Sequence, residues 1–116
     1  MSEGDPRDRR ARRRRAQEGF DALATELEGL AGIDRAVMFG SRGIRHDGRF
    51  FAFVGADGQL VAKIAAPRVA ELVASGAGAP VRVGRHPARE WVGVPWEAGA
   101  AGRWRALLHE AHAHAS

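Results

Sequence analysis

The sequence contains no cysteine and no long apolar run. Without cysteine, the chain cannot form disulfides, use a thiolate nucleophile or bind zinc through thiolates. Its apolar runs are far too short to span a lipid bilayer. The segment from Ala16 to Gly19 follows the N-terminal arginines but does not supply the apolar core that a secretory signal needs. We therefore expect a cytoplasmic protein that does not associate with a membrane.

Signatures of catalytic chemistry are also missing from the sequence. Ser41 and Ser75 have no evident activating base nearby in the chain. Asp47 and Asp57 each precede a glycine and are explained as turn formers, so no carboxylate pair is assigned to acid and base roles. The glycine-rich stretch before the first turn lacks the Gly-Lys-Ser/Thr ending of a phosphate-binding loop. We therefore expect a protein that is not an enzyme and uses no cofactor.

The charge of the chain is concentrated at its N-terminus. Of the 116 residues, 45% are hydrophobic and 28% are charged, which is typical of one globular domain. Residues 1–15 hold seven arginines against three acidic residues, giving +4, whereas the remainder carries eleven residues of each sign. We therefore divide the chain into a basic N-terminal arm, residues 1–15, which we expect to be flexible, and a single domain, residues 16–116.

Residues 33–64 carry the pattern of an antiparallel sheet. The pairs Asp47-Gly48 and Asp57-Gly58 permit the positive φ angles that tight hairpins need, and the residues between them are rich in Phe and Val. The pattern predicts strands at 33–39, 49–54 and 59–64. Simple alternation in the second strand places Phe50 on one face with Ala52 and Val54, and Phe51 on the other with Phe53.

The rest of the chain predicts helices and two further strands. Apolar residues recur at helical spacing in the first helix and form a stripe along one of its faces. Similar apolar stripes follow Pro67 and residue 98. The predicted stripes are Phe20, Leu23, Leu27 and Leu30, then Val69, Leu72 and Val73, then Trp104, Leu107, Leu108 and Ala111. Strands are predicted around Val81 to Val83 and at 90–94. The predicted class is α+β, an antiparallel sheet of about five strands in the order α-β-β-β-α-β-β-α.

Several short motifs occur in a distinctive order. They are Met38-Phe39-Gly40 with Gly43 after it, Asp47-Gly48 followed by Phe51-Ala52, the strand Leu60-Val61-Ala62-Lys63, the segment Trp91 to Pro95, and Trp104 with Ala111. In these residues the chain resembles the N-terminal domain of the TfoX/Sxy family, regulators linked to natural competence. The resemblance covers about residues 20–113 and leaves the basic arm outside.

The resemblance implies an α+β fold with no catalytic activity and a link to transcriptional or competence-type regulation through contacts with other proteins. Its motif residues are Met38, Phe39, Gly40, Gly43 and Lys63. We expect a stand-alone form of this domain, without the C-terminal domain of the longer regulators. We expect it to act as a monomer or a homodimer, with no metal and no cofactor.

Three features have both a functional and a structural interpretation. The glycines from Gly40 to Gly43 either expose backbone N–H groups to an anionic ligand or serve only a bend. Lys63 is either a buried amine of lowered pKa or an amine that extends to solvent. His109, His112 and His114 are either a metal site or a frayed polar end of the last helix, and their spacing is not that of the zinc-protease motif.

The arginines of the arm give the most direct physical route to a partner. The candidate contacts to nucleic acid are Arg9, Arg10, Arg12, Arg13, Arg14 and Arg15. Such a segment can bind phosphates without sequence preference, can be a solubilising tail, or can fold back onto the acidic outer face of the first helix. Our leading hypothesis is macromolecular contact, chiefly with a protein, and nonspecific binding of nucleic acid through the arm is the alternative.

Overall fold

A computed structural model describes residues 6–38, 41–83, 86–97 and 99–116, and of positions 6, 38, 41, 83, 86 and 87 the backbone alone. In chain order, the elements are α1 (Pro6–Leu27), β1 (Ile33–Met38), β2 (Ser41–His46), β3 (Arg49–Val54), β4 (Gln59–Lys63), α2 (Ala66–Ala74), β5 (Ala79–Val83), β6 (His86–Pro95) and α3 (Ala100–Ala115). The strands form one sheet in the order β1-β2-β3-β4-β6-β5, and all neighbouring strands are antiparallel. The predicted α+β class is confirmed.

The described sheet has six strands because the glycine-containing segment Ser41–His46 is a strand and not a bend. This strand, β2, pairs with β1 along its whole length, from Met38 opposite Ser41 to Ile33 opposite His46. Because Gly43 has no side chain, the ring of Phe50 can pack directly on it. A β-carbon at position 43 would lie 2.8 Å from that ring. The glycine therefore allows a close side-chain crossing and does not end the strand.

The two predicted Asp-Gly turns are present but differ in type. Asp47 and Gly48 both have positive φ, 49° and 83°, as a two-residue hairpin between β2 and β3 requires. In the second turn, Gly58 has φ 77° and Asp57 does not have a positive φ. This longer turn is closed by the N–H of Gly55, which donates to the carbonyl of Gln59 at 2.8 Å.

The described helices pack on one face of the sheet and share a single core. The predicted stripe of α3 is buried, with Trp104 donating its indole N–H to the carbonyl of Pro95 at 3.3 Å. Phe20 and Leu27 of α1 are also buried, but α1 ends at Leu27, so Leu30 lies in the following turn with 43% of its surface exposed. None of the described helices is long and apolar enough to cross a membrane.

A bulge in β3 decides which aromatic side chains enter the core. Ile44 pairs with Ala52, but the next residue, Arg45, pairs with Phe50, so Phe51 is an extra residue on β3. Such an insertion puts two consecutive side chains on the same face. Phe51 and Ala52 are accordingly both buried against the helices, at 1% and 0% exposure. The simple alternation predicted from the sequence is wrong at this point.

The opposite face of the sheet carries no described helix. Phe53 and Val61 pair on this face, next to Gly93 of β6, and Val61 lies outside the core cluster that the helices cover. Phe50 lies on the same face because the bulge places it beside Arg45. We call the surface formed by Phe50, Phe53, Val61, Lys63 and Trp91 the open face.

Candidate functional site

The basic segment is part of a helix that continues into the core. Residues 6–15 lie in α1, so the domain boundary predicted at residue 15 falls inside a helix. The segment from Arg7 to Glu18 contains neither glycine nor proline, and arginine is a good helix former. The helix also packs on the turn between β3 and β4, since a β-carbon at Gly58 would lie 3.1 Å from the carbonyl oxygen of Arg12.

Most of the arginines on this half of α1 are exposed and have no acidic partner. Among the residues that the structure describes, no ion pair or side-chain hydrogen bond is found for Arg9, Arg10, Arg12, Arg14 and Arg15. Arg13 is partly buried and has a contact of its own. We call residues 7–15 the basic half of α1. Its five unpaired guanidinium groups lie within seven consecutive residues.

Three acidic residues in the last turns of α1 and directly after it are paired with arginines of the domain. Arg105 of α3 donates two hydrogen bonds to Glu26, each at 3.0 Å. Arg35 of β1 donates to Asp21 and, at 3.3 Å, to Glu28. The hydrogen bonds from Arg105 hold the pKa of Glu26 below its ordinary value.

The basic half therefore does not fold back onto the acidic face of α1. A segment that is helical and continuous with residues 16–27 cannot reverse direction to reach side chains on the same helix. Of the carboxylates on that face, Asp21 and Glu28 are also paired with Arg35, and Glu26 is paired with Arg105. The described part of the chain thus leaves the guanidinium groups of Arg9, Arg10, Arg12, Arg14 and Arg15 open to an external anion.

The motif residues that the structure describes lie on three different strands. Met38 ends β1, while Phe39 and Gly40 lie outside the described residues. Gly43 is buried within β2, and Lys63 is half-buried at the end of β4, directly opposite Trp91. Lys63 lies on the open face and has no ion pair among the described residues.

The C-terminal histidines have separate environments on a helix that continues to Ala115. His112 packs edge-on against His46, with ring centroids 5.3 Å apart, and contacts Phe51. His114 hydrogen-bonds Glu90 at 2.8 Å. The interpretation as a frayed end is therefore wrong. Among the described residues, no three side chains of the metal-binding types lie close enough to hold an ion.

The aromatic side chains of the open face form a feature that the sequence analysis missed. Phe53 and Trp91 lie with ring centroids 5.8 Å apart, although β4 separates their strands. Phe50 lies below the guanidinium of Arg45, 5.9 Å from the ring centroid. Arg45 also binds Asp34, and its hydrogen bonds lower the pKa of that carboxyl group. The run Phe50-Phe51-Ala52-Phe53 breaks regular alternation, which was the available signal for a bulge.

Comparison with models of known protein families gives no match, and comparison with curated proteins gives none either.

Proposed function

We propose that this chain is a non-catalytic domain that binds other macromolecules, and that the basic half of α1 contacts nucleic acid. The observation that supports this proposal is the set of exposed, unpaired arginines on a helix anchored in the core. The sequence analysis ranks contact with a protein first. The geometry favours nucleic acid because it removes the competing fold-back onto the acidic face of α1.

The basic half has an electrostatic reason to bind a polyanion. Arginines three or four residues apart, such as Arg9 and Arg12 or Arg10 and Arg14, are neighbours on a helix surface. Each like-charged pair of this kind destabilises a helix by about 0.2–0.5 kcal/mol. Phosphates that bind between the side chains relieve this repulsion, and the counterions they release favour binding further. The binding needs no base contact and is therefore nonspecific.

The resemblance to the TfoX/Sxy family supplies the biological context of the proposal. A cytoplasmic regulator that acts in transcription would meet nucleic acid directly. In this proposal, the motif residues of β1, β2 and β4 build the scaffold, and α1 provides the charge. The proposal assigns Gly43 a packing role, because the ring of Phe50 occupies the space that a side chain at that position would need.

The proposal is tested by two variants that remove equal charge from different places. The first replaces Arg9, Arg10 and Arg12 with glutamine, and the second does the same at Arg49, Arg82 and Arg103. All six side chains are exposed and have no ion pair among the described residues. Fluorescence anisotropy with labelled duplex DNA and heparin measures the affinity of each.

We expect the variant in α1 to lose about tenfold or more in affinity at 150 mM salt, because the phosphate contacts are lost. The affinity of the variant at Arg49, Arg82 and Arg103 should stay within about twofold of that of the original chain. Equal losses in the two variants would show that only net charge matters, and would contradict a site on α1.

A second candidate is contact with a protein through the edge strand β1. The other edge strand, β5, contains Pro80, which cannot donate a backbone hydrogen bond to an added strand. β1 has no proline, and 70% of Val37 is exposed beside a shallow groove that Arg42 helps to line. An extended segment that carries an apolar and an acidic residue fits this edge.

The edge candidate is tested by Val37→Lys, with Val73→Lys on α2 as the control, since Val73 is also an exposed valine. Chemical crosslinking in native lysate, read by mass spectrometry, compares the crosslinked partners of the two variants. We expect Val37→Lys to lose a crosslink that Val73→Lys keeps. The same crosslinks in both variants would exclude β1 as the contact.

A further inference from the structure

We infer that the open face of the sheet binds the unpaired bases of a single-stranded nucleic acid. This inference rests on the proposed function, because the basic half of α1 supplies most of the affinity for phosphate. It adds a class of ligand, since α1 alone would bind a duplex, a single strand or any other polyanion in the same way.

The bulge in β3 decides which of two neighbouring phenylalanines lies on the open face with Phe53. The extra residue, Phe51, turns into the core together with Ala52, so that Phe50 and Phe53 both lie on the open face. The ring of Phe50 lies across Gly43, where a β-carbon would approach it to 2.8 Å. The guanidinium of Arg45 lies over this ring, so Phe50 supports that guanidinium, and the aromatic surface left for a base is that of Phe53 and Trp91.

Phe53 and Trp91 extend this surface across the middle of the sheet. Their ring centroids are 5.8 Å apart, and the side chain of Val61 on the intervening strand is only 5% exposed. Gly93, next to Val61 in register, carries no side chain of its own. The two half-buried rings are tilted by 57° to each other and lie above the buried Val61, so together they form one apolar surface on which an unstacked base can lie.

The charge on the open face complements phosphate. Lys63 is directly opposite Trp91 in register, and it has no carboxylate partner in the part of the chain that the structure describes. The carboxylate of Asp34 on the same face is paired with Arg45. A base stacked on Trp91 would therefore bring its phosphate next to an unpaired ammonium group and away from an unpaired acid. A single strand repeats a flat base and a phosphate along one chain, so the same ligand meets both the rings and the ammonium group.

The basic half of α1 and the open face lie close enough for one strand to contact both. The backbone of Arg12 packs on Gly58, and Gly58 immediately precedes β4, the strand that carries Val61 and Lys63. At about 3.3 Å per residue along a strand, Gly58 and Val61 are separated by about 10 Å. A single strand bound along the arginines of α1 would pass around the turn at Gly58, at the end of the sheet, to reach the rings.

The experiment uses the intrinsic fluorescence of Trp91, with the full chain and a dT oligonucleotide as the probe. Trp96 and Trp104 pack against each other on the helix side, and their contribution to the signal is measured in Trp91→Leu. Heparin is the matched ligand, because it has the charge of a polyanion and no bases. Trp91→Leu removes the ring, Trp91→Phe keeps a ring, and Phe53→Leu tests the second ring independently.

We expect dT to quench the fluorescence and heparin to leave it unchanged, with the quenching lost in Trp91→Leu. Loss of one stacking contact should weaken dT binding by about 5- to 100-fold, and Trp91→Phe should restore most of it. Heparin binding should be unaffected in all three variants. If dT and heparin both bind but Trp91 is not quenched and Trp91→Leu binds dT normally, the open-face inference is wrong and the role of α1 stands.

Two other outcomes would overturn the inference in different ways. If neither dT nor heparin binds, the proposed function of α1 fails as well. If dT binding is independent of Trp91 and Phe53 while a crosslinked protein partner depends on them, the open face binds protein. A variant that loses its cooperative thermal transition is replaced in this comparison by Lys63→Gln, which leaves the rings and the core in place.

Discussion

Phe53 on β3 and Trp91 on β6 are in contact on the open face, with ring centroids 5.8 Å apart, even though β4 lies between their strands. The bulge in β3 turns Phe51 into the core and puts Phe50, in its place, on the face that carries Phe53. A single inserted residue therefore decides which of two neighbouring phenylalanines packs in the core and which lies on the open face.

The bulge predicts different stabilities for neighbouring phenylalanine variants. Phe51 is buried against the helices, so Phe51→Ala should lower the free energy of unfolding by about 3–5 kcal/mol. Phe53→Ala removes a half-buried ring and should cost about half of that or less. Urea denaturation followed by circular dichroism measures both values. Similar losses in the two variants would contradict the assignment of these rings to opposite faces.

The packing of α1 on the second turn predicts a difference between two glycine variants. Gly58→Ala and Gly48→Ala both place a side chain at positive φ, which costs about 1–2 kcal/mol. Only Gly58→Ala also forces the new β-carbon against Arg12, because nothing lies within 4 Å of the corresponding position at Gly48.

Limited trypsin digestion measures how far each variant loosens the basic half of α1, because trypsin cleaves after arginine. We expect faster cleavage of the basic half in Gly58→Ala than in Gly48→Ala, at matched stability in urea. Equal cleavage rates would mean that the contact between Arg12 and Gly58 does not hold the helix in place.

The pair of Glu26 and Arg105 joins α1 to α3 and predicts a pH dependence. Arg105 lowers the pKa of Glu26, so the pair contributes stability above the ordinary carboxyl pKa. That contribution is lost as the pH falls through the lowered pKa. Arg105→Gln should therefore reduce the urea midpoint at pH 7, and this reduction should shrink towards pH 2, as the pH falls through the lowered pKa of Glu26.

Arg103→Gln is the control for this experiment, since Arg103 is exposed on the same helix and has no ion pair among the described residues. Its midpoint should match that of the original chain at both pH values. A deficit in Arg105→Gln that is equally large at pH 2 would show that its cause is packing and not the charge of Glu26.

Much of the fold follows from local sequence signals. The Asp47-Gly48 turn has the required positive φ angles, and the stripe from Trp104 to Ala111 is buried as its spacing predicts. The strand Ser41–His46 was missed because Gly43 indicates a bend when it is considered alone. Its place in the sheet depends on a contact with Phe50, which local propensity does not contain.

The candidate sites were predictable only in part. The arginines of residues 7–15 are visible in the sequence, but their place on an anchored helix depends on a distant contact with Gly58. The open face was not predictable because the bulge at Phe51 reverses the alternation, and because Trp91 reaches Phe53 only through the strand order of the folded sheet.

The salt dependence of duplex binding tests the central claim, that unpaired arginines of α1 bind phosphates, most directly. For the original chain, log K should fall linearly with log salt concentration, with a slope set by the number of phosphates contacted. We predict that replacing Arg9, Arg10 and Arg12 with glutamine reduces the magnitude of this slope by about 2 to 3, whereas the same replacement at Arg49, Arg82 and Arg103 leaves it unchanged. A slope that is the same in all three proteins would contradict the account.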